Sequence, residues 1–316
     1  MAEKKIIAVV GATGAQGGGL VRAILADPAG GFAVRAITRD PNSASAKALA
    51  AAGAEVVQGD AHDLDSLTRA FQGAYGAYCV TFFWNHFSVE TEQTEARNMA
   101  QAAKAAGLKH VIWSTLEDTR KYVPLTDDRM PTLQGHYKVP HFDGKGDSDK
   151  FFAEAGVPTT YLLASFYWDN FIHFGSGPKK GPDGAYLLTF PIGHAKMAGV
   201  AAEDIGGVAY GILKTGPSLA GARIGVAGEH LTGDEMAAAL GKALGKTVRY
   251  NEVEPAVYRS FGFPGADDLG NMFQFYRDFE SVCNTTRDVA RSRQLHPALK
   301  SFDAWLAVNA SKIPLD

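Results

Sequence analysis

Gly11, Gly14 and Gly17 follow the apolar run "KIIAVV" and precede the apolar-periodic stretch "LVRAIL". Between a strand and a helix, glycines at such spacing have a physical task. They allow a tight turn, let main chain approach a pyrophosphate, and let helix and strand pack closely, while the helix N-terminus faces the negative charge. Gly11, Thr13, Gly14, Ala15, Gln16 and Gly17 therefore form a candidate cofactor-binding loop. Its spacing is Gly-x-x-Gly-x-x-Gly, one residue longer than the plainest dinucleotide fingerprint. No Lys followed by Ser or Thr closes it, which removes a P-loop. The competing reading is a tight turn without a ligand.

The next apolar run ends "AITRDP". An acid at that place binds a ribose 2′-OH, whereas an Arg accommodates a 2′-phosphate. Arg39 comes first, and its planar fork suits phosphate, which favours NADP(H) over NAD. Asp40 is either a competing acid or a turn residue before Pro41. The third run ends "QGDAHD", where Asp60 and Ala61 are placed at the adenine edge, a turn acid being the alternative. Thr81, Phe82 and Phe83 close the fourth run. Ligands lie beyond the carboxyl ends of parallel strands, so these three are candidates for the nicotinamide side, or else core aromatics.

The elements that must position these residues follow an alternating pattern. Strand-like "KIIAVVGA", "FAVRAITR", "AEVVQGD", "GAYCVTFF" and "KHVIWSTL" alternate with helical "QGGGLVRAILAD", "SASAKALAAAG", "DLDSLTRAFQG" and "VETEQTEARNMAQAAKAAG". Terminal glycines such as Gly53, Gly73 and Gly107 suit helix ends. This order predicts an α/β fold, a Rossmann-type doubly wound parallel sheet with right-handed crossovers. Residues 118–144 break the rhythm and read as a long loop, after which "GDSDKFFAEAG" reads as a helix and "PTTYLLAS" as a strand. Residues 1–166 are expected to form the nucleotide-binding domain and 167–316 a smaller α/β lobe over the sheet's open edge, with parts of the chain crossing between them. In the second part, Thr232 and Glu235 have capping-box spacing, and the aromatic-rich stretch 254–282 reads as helical and irregular.

The bulk composition excludes several classes. The 316 residues are 46% hydrophobic and 21% charged, with a formal charge of −3. No basic stripe argues for direct nucleic-acid binding. No apolar run approaches the ~18 residues of a membrane span, and the run after Lys4 and Lys5 is too short for a signal peptide. Cys79 and Cys283 form no disulfide framework or CxxC pair, which points to a reducing cytoplasm. The histidines show no metal-ligand spacing, so no metal is expected. The Asn284-Thr285-Thr286 acceptor pattern is read as chance.

Read together, "VVGATGAQGGGLVRAIL", "VRAITRDP", "VVQGDAHD", "HVIWSTLED", "HFDGKGDSDKFF" and "GVPTTYLLASFYWDNF" resemble the NmrA-like family of the atypical short-chain dehydrogenase/reductase group, closest to its HSCARG-type NADPH-sensing members. The resemblance implies a Rossmann domain binding NADP(H) and a small C-terminal domain framing a cleft. In working reductases of the wider group a Ser or Thr after the fifth strand polarises a carbonyl, a Tyr donates the proton, and a Lys four positions after it lowers the Tyr pKa and holds the ribose. Ser114 and Thr115 match the first place. The Tyr-x-x-x-Lys place reads His141 to Lys145, so the lysine is present and the tyrosine is not. Imidazole titrates near 6.5 and can also donate a proton, although its geometry differs; the alternative for His141 is a structural loop residue. Lys145 is expected to contact cofactor, or to act as a base by itself. Ser165, Phe166 and Tyr167 should pass beside the nicotinamide, where the neighbouring aromatics either line a pocket or join the lobes.

The resemblance and the missing tyrosine favour an NADP(H)-binding redox sensor or regulatory protein with little or no dehydrogenase activity. The alternative is an NADPH-dependent oxidoreductase acting on a small carbonyl, quinone or imine, with Lys145 and His141 in place of a Tyr–Lys pair. The expected partner is a small-molecule substrate or another protein, and a homodimer is left open.

Overall fold

The computed structural model describes residues 3–315. Its first half alternates β1 (Lys5–Val9), α1 (Ala15–Leu25), β2 (Phe32–Thr38), α2 (Ala44–Ala51), β3 (Glu55–Gln58), α3 (Leu64–Phe71), β4 (Gly76–Cys79), α4 (Val89–Ala105), β5 (His110–Thr115), α5 (Pro140–Ala155) and β6 (Thr159–Leu163). The two-residue period of the strands feeds two cores. Ile7, Val9, Val34, Ala36, Tyr78, Ile112 and Leu162 pack on one face of the sheet. Ala8, Val10, Ile37, Ala77, Cys79, Val111 and Trp113 pack on the other. Both faces are covered, as a parallel sheet requires.

The chain continues through β7 (Phe166–Tyr167), α6 (Asn170–His173), β8 (Lys179–Lys180), β9 (Tyr186–Phe190), β10 (Met197–Val200), α7 (Ala202–Thr215), β11 (Arg223–Gly225), β12 (Glu229–Leu231), α8 (Gly233–Leu244) and β13 (Val248–Glu252). It ends with α9 (Pro255–Arg259), α10 (Ala266–Asp278), α11 (Glu280–Thr286), α12 (Val289–Leu295) and α13 (Phe302–Asn309). The capping box at Thr232 and Glu235 opens α8.

Seven parallel strands form the main sheet in the order β11-β6-β5-β4-β1-β2-β3. The strand order reverses between β1 and β4, and the crevice beyond their carboxyl ends is where such sheets place ligands. Two three-stranded sheets, β12-β10-β7 and β13-β9-β8, stand apart from it. Among the described residues no helix is long and apolar enough to cross a membrane.

Three expectations change. The fourth strand stops at Cys79, so Thr81, Phe82 and Phe83 lie on the loop that enters a 3₁₀ turn at Phe83–Asn85. The stretch 118–144 is not all loop: α5 starts at Pro140, which suits a first helical position because proline has no N–H to satisfy there. Gly144 and Gly146 hide this start in the sequence, because glycine argues against a helix interior. A Cβ on Gly146 would lie 2.5 Å from the Asp118 nitrogen, so close backbone packing explains that glycine. Finally, the chain past 167 does not simply cover the sheet edge. β11 itself becomes an edge strand beside β6, and α7 lies so close to α1 that a Cβ on Gly19 would sit 2.3 Å from the Glu203 carbonyl oxygen.

Candidate functional site

The glycine loop is built as its sequence suggests. Gly11 takes a left-handed φ of +67°, and the Gly14 N–H closes the turn onto the Gly11 carbonyl at 2.9 Å. A Cβ on Gly17 would come within 2.3 Å of the Gly11 oxygen, so only glycine fits. Gly14 caps α1 without any side-chain acceptor, leaving first-turn N–H groups for an anion. The positive-φ turn and the uncapped start of α1 fit a dinucleotide pyrophosphate. Thr13, Gly14 and Ala15 also border a cavity of about 610 Å³ whose remaining wall includes Asp169, Glu203 and Lys300.

Gln16 points the other way. Its Oε1 accepts from the Tyr78 hydroxyl and from Ser114 Oγ, the latter at 2.8 Å, and its Nε2 donates to the Tyr167 hydroxyl. Ser114 is thus buried and engaged. Thr115 is buried too, donating to Asp149 Oδ1 at 2.6 Å. Neither hydroxyl is presented to a substrate as the resemblance implies. Burial pushes the Tyr167 hydroxyl up to about 12 and the Tyr78 hydroxyl higher still, so both remain protonated at neutral pH.

At the adenosine end, Arg39 is exposed just past β2, and its guanidinium makes no ion pair among the described residues. Asp40 is the turn residue, its Oδ1 accepting the Asn42 N–H at 2.8 Å. Asp60 does the same for the His62 N–H at 3.0 Å, and the Ala61 carbonyl accepts from Asn98 at 2.9 Å. Phe82 is exposed and Phe83 buried.

At the other end, α5 carries both His141 and Lys145, four residues apart and hence on one face. Lys145 Nζ donates to Thr81 Oγ1 at 2.5 Å and to the Thr81 carbonyl at 3.1 Å, and pairs with Glu92 Oε1 at 2.7 Å. His141 is held by Asp268 of α10: the ring Nδ1 lies 2.6 Å from Oδ1, and the backbone N–H donates to Oδ2 at 3.1 Å. This grip places the ring proton on Nδ1. Among the described residues Nε2 has no hydrogen-bond partner, and it is not fully buried. The Trp84 ring lies 4.8 Å from the imidazole and the Phe83 ring 6.0 Å.

α10 aligns more than Asp268. Asn271 donates to the Lys138 carbonyl at 2.5 Å and Gln274 to the Arg129 carbonyl at 2.7 Å, so one polar stripe of the C-terminal helix fixes the segment leading into α5. A buried pair, Arg287 with Glu117 at 2.5 and 2.8 Å, ties the end of α11 to the segment after β5. That arginine also holds the Glu117 carboxyl below its usual range despite the burial that raises it. Phe166 is packed with Phe171, Phe190 and Phe273, joining the two halves, while Tyr167 reaches Gln16. Ser165 is buried with an unpaired hydroxyl.

Sequence reasoning missed Glu92, Asp268, Tyr78 and Trp84. Glu92 lies on the helix read over "VETEQTEARNMAQAAKAAG", and Asp268 in the stretch read as helical and irregular. No local signal marks either, since each meets its partner only through tertiary contact.

The sequence model of the NmrA-like family matches residues 3–306. A curated relative, the NmrA-like family domain-containing oxidoreductase FrzB of Cladobotryum sp, is 31% identical over 288 residues, covering 85% of this chain and 83% of its own. Among solved structures, an NADPH-dependent quinone oxidoreductase from Escherichia coli superposes with a TM-score of 0.69 at 25% identity, covering 96% of this chain and 98% of its own. NmrA, a negative transcriptional regulator solved in complex with NADP, gives a TM-score of 0.78 at 24% identity, covering 97% and 95%, and shows the shared fold.

Proposed function

The chain belongs to the NmrA-like family, and on that premise we propose that it binds NADP(H) in the crevice beyond β1 and β4 and reduces a small carbonyl, quinone or imine. The observation that carries this reading is the His141–Asp268 pair, whose uncommitted Nε2 lies one helical turn from Lys145.

The loop from Gly11 to Gly17 takes the pyrophosphate, and Arg39 meets the 2′-phosphate. Bound NADPH supplies the hydride. Lys145 orients ribose hydroxyls from its place beside Thr81. Asp268 keeps the His141 proton on Nδ1, as a carboxylate does for a catalytic histidine. The protonated ring would donate from Nε2 to the substrate oxygen or nitrogen that gains negative charge on reduction. Trp84 and Phe83 shield that transfer from water. Relatives named as oxidoreductases support this assignment.

Two observations favour the second reading, a cofactor sensor with little turnover: Lys145 is already paired with Glu92 and Thr81, and no tyrosine stands at the donor place. The test is a screen for NADPH oxidation with quinone, aldehyde and imine probes. Turnover lost in His141→Ala supports the reductase. Tight NADPH binding without turnover of any probe, and a partner released on binding, supports the sensor.

A further inference from the structure

Glu92 uses its two carboxylate oxygens differently. Oε1 accepts from Thr81 Oγ1 at 2.5 Å and pairs with Lys145. Oε2 has no hydrogen-bond partner among the described residues, although Glu92 is 0% exposed. Opposite it, at 3.6 Å, stands Nε2 of His86, which is also buried and unpartnered. Glu95 follows one turn later on the same face of α4. One ligand atom from each of His86, Glu92 and Glu95 lies within 4.8 Å of the others. His62 approaches from the loop after β3, its Nε2 3.1 Å from Glu95 Oε1.

The 3.6 Å gap is too long for a hydrogen bond. It is close to another distance, however. Two atoms each about 2.1 Å from a tetrahedral zinc ion stand about 3.4 Å apart. We propose that His86, Glu92 and Glu95, with His62 as a fourth ligand, form a binding site for a divalent transition-metal cation, and that zinc suits this imidazole and carboxylate set best.

The surroundings define how the ion is held. Glu92 coordinates through Oε2 alone, because Thr81 and Lys145 occupy Oε1 and fix the carboxylate's orientation, as outer partners of metal ligands do. The Ser88 N–H donates to His86 Nδ1 at 3.1 Å, which leaves the ring proton on Nε2. Coordination through Nε2 moves that single proton to Nδ1, so loading turns the ring away from the Ser88 N–H. This rearrangement and the Lys145 charge beside Glu92 make the site weaker than a structural four-ligand site. The ligands come from the loop after β3, the turn before α4 and α4 itself, which is why no His or Glu spacing announced them.

The experiment is a cobalt(II) titration of the tag-free, cofactor-free protein, followed by visible absorption and competed with zinc. The expected result is saturation at one equivalent, with the intense bands of a four-coordinate site that zinc removes. His86→Ala and Glu95→Gln should each weaken cobalt binding about tenfold or more, with circular dichroism and NADPH binding retained as evidence of folding. Absence of a saturable spectrum overturns the proposal, and so does binding that neither substitution weakens. No substrate or turnover enters this measurement, so its outcome is independent of whether the reductase reading holds.

Discussion

The two ends of the cofactor crevice are built on different principles. The phosphate end is one strand, one turn and one helix, and its geometry is settled by Gly11, Gly14 and Gly17 over a few consecutive residues. The reaction end starts from a single helix face but is held from two directions. Lys145 answers to Glu92 and Thr81 inside the alternating α/β array, whereas His141 answers to Asp268, 127 positions away on α10. The glycine turn is therefore local, while the setting of His141 depends on how α10 docks. On the proposed reading, the first region would hold the nucleotide and the second would carry the proton transfer.

Substitutions at the two ends should separate these tasks. The largest effect is expected at the reaction end: His141→Ala should lower kcat about 10²- to 10⁴-fold, the range of a lost general acid, with NADPH affinity little changed. Asp268→Asn should follow it in kcat, because the imidazole loses the carboxylate that holds its ring. Equal losses of NADPH affinity in both variants would erase the division between the ends. At the phosphate end, Gly17→Val should remove measurable NADPH binding by calorimetry, because even a Cβ would overlap the Gly11 carbonyl.

A pH dependence should strike both ends together, through the sheet that carries them. His110 of β5 is buried with Nε2 2.9 Å from Thr160 Oγ1, and burial lowers its pKa to about 4. The unfolded chain protonates this histidine below about 6.5 while the folded chain does not. Protons thus favour the unfolded state between those values, and stability falls as pH drops from about 6.5 towards 4, by at most about 3 kcal/mol. Urea unfolding across that range should show this loss, and His110→Asn should flatten it. The smallest effect is at the adenosine end: Arg39→Ala should reduce the preference for NADPH over NADH about tenfold, close to 1.4 kcal/mol. Equal affinity of the unaltered protein for both cofactors would remove Arg39 from its role.

Much of this architecture is legible in the residue order. Six strands appear where apolar runs alternate with helical periods, and the glycine loop falls between the first strand and helix as its spacing indicates. The departures have specific physical causes. The start of α5 was masked by Gly144 and Gly146, whose small size serves contact with α4 and with the segment at Asp118. Phe166 reads equally as pocket wall or lobe cement until its ring is seen among Phe171, Phe190 and Phe273. Ser114 has the position of a catalytic hydroxyl, yet Gln16 and Tyr78 enclose it.

The sequence by itself indicated the alternating strands and helices of the first half and the glycine turn between β1 and α1, because hydrophobic period and glycine conformation act over a few neighbouring residues. Only the tertiary structure decided which acids meet His141, Lys145 and His86. Those partners are joined by packing between helices and across the two halves of the chain. A buried carboxylate takes its meaning from the atoms that replace its lost water, and no linear spacing records them.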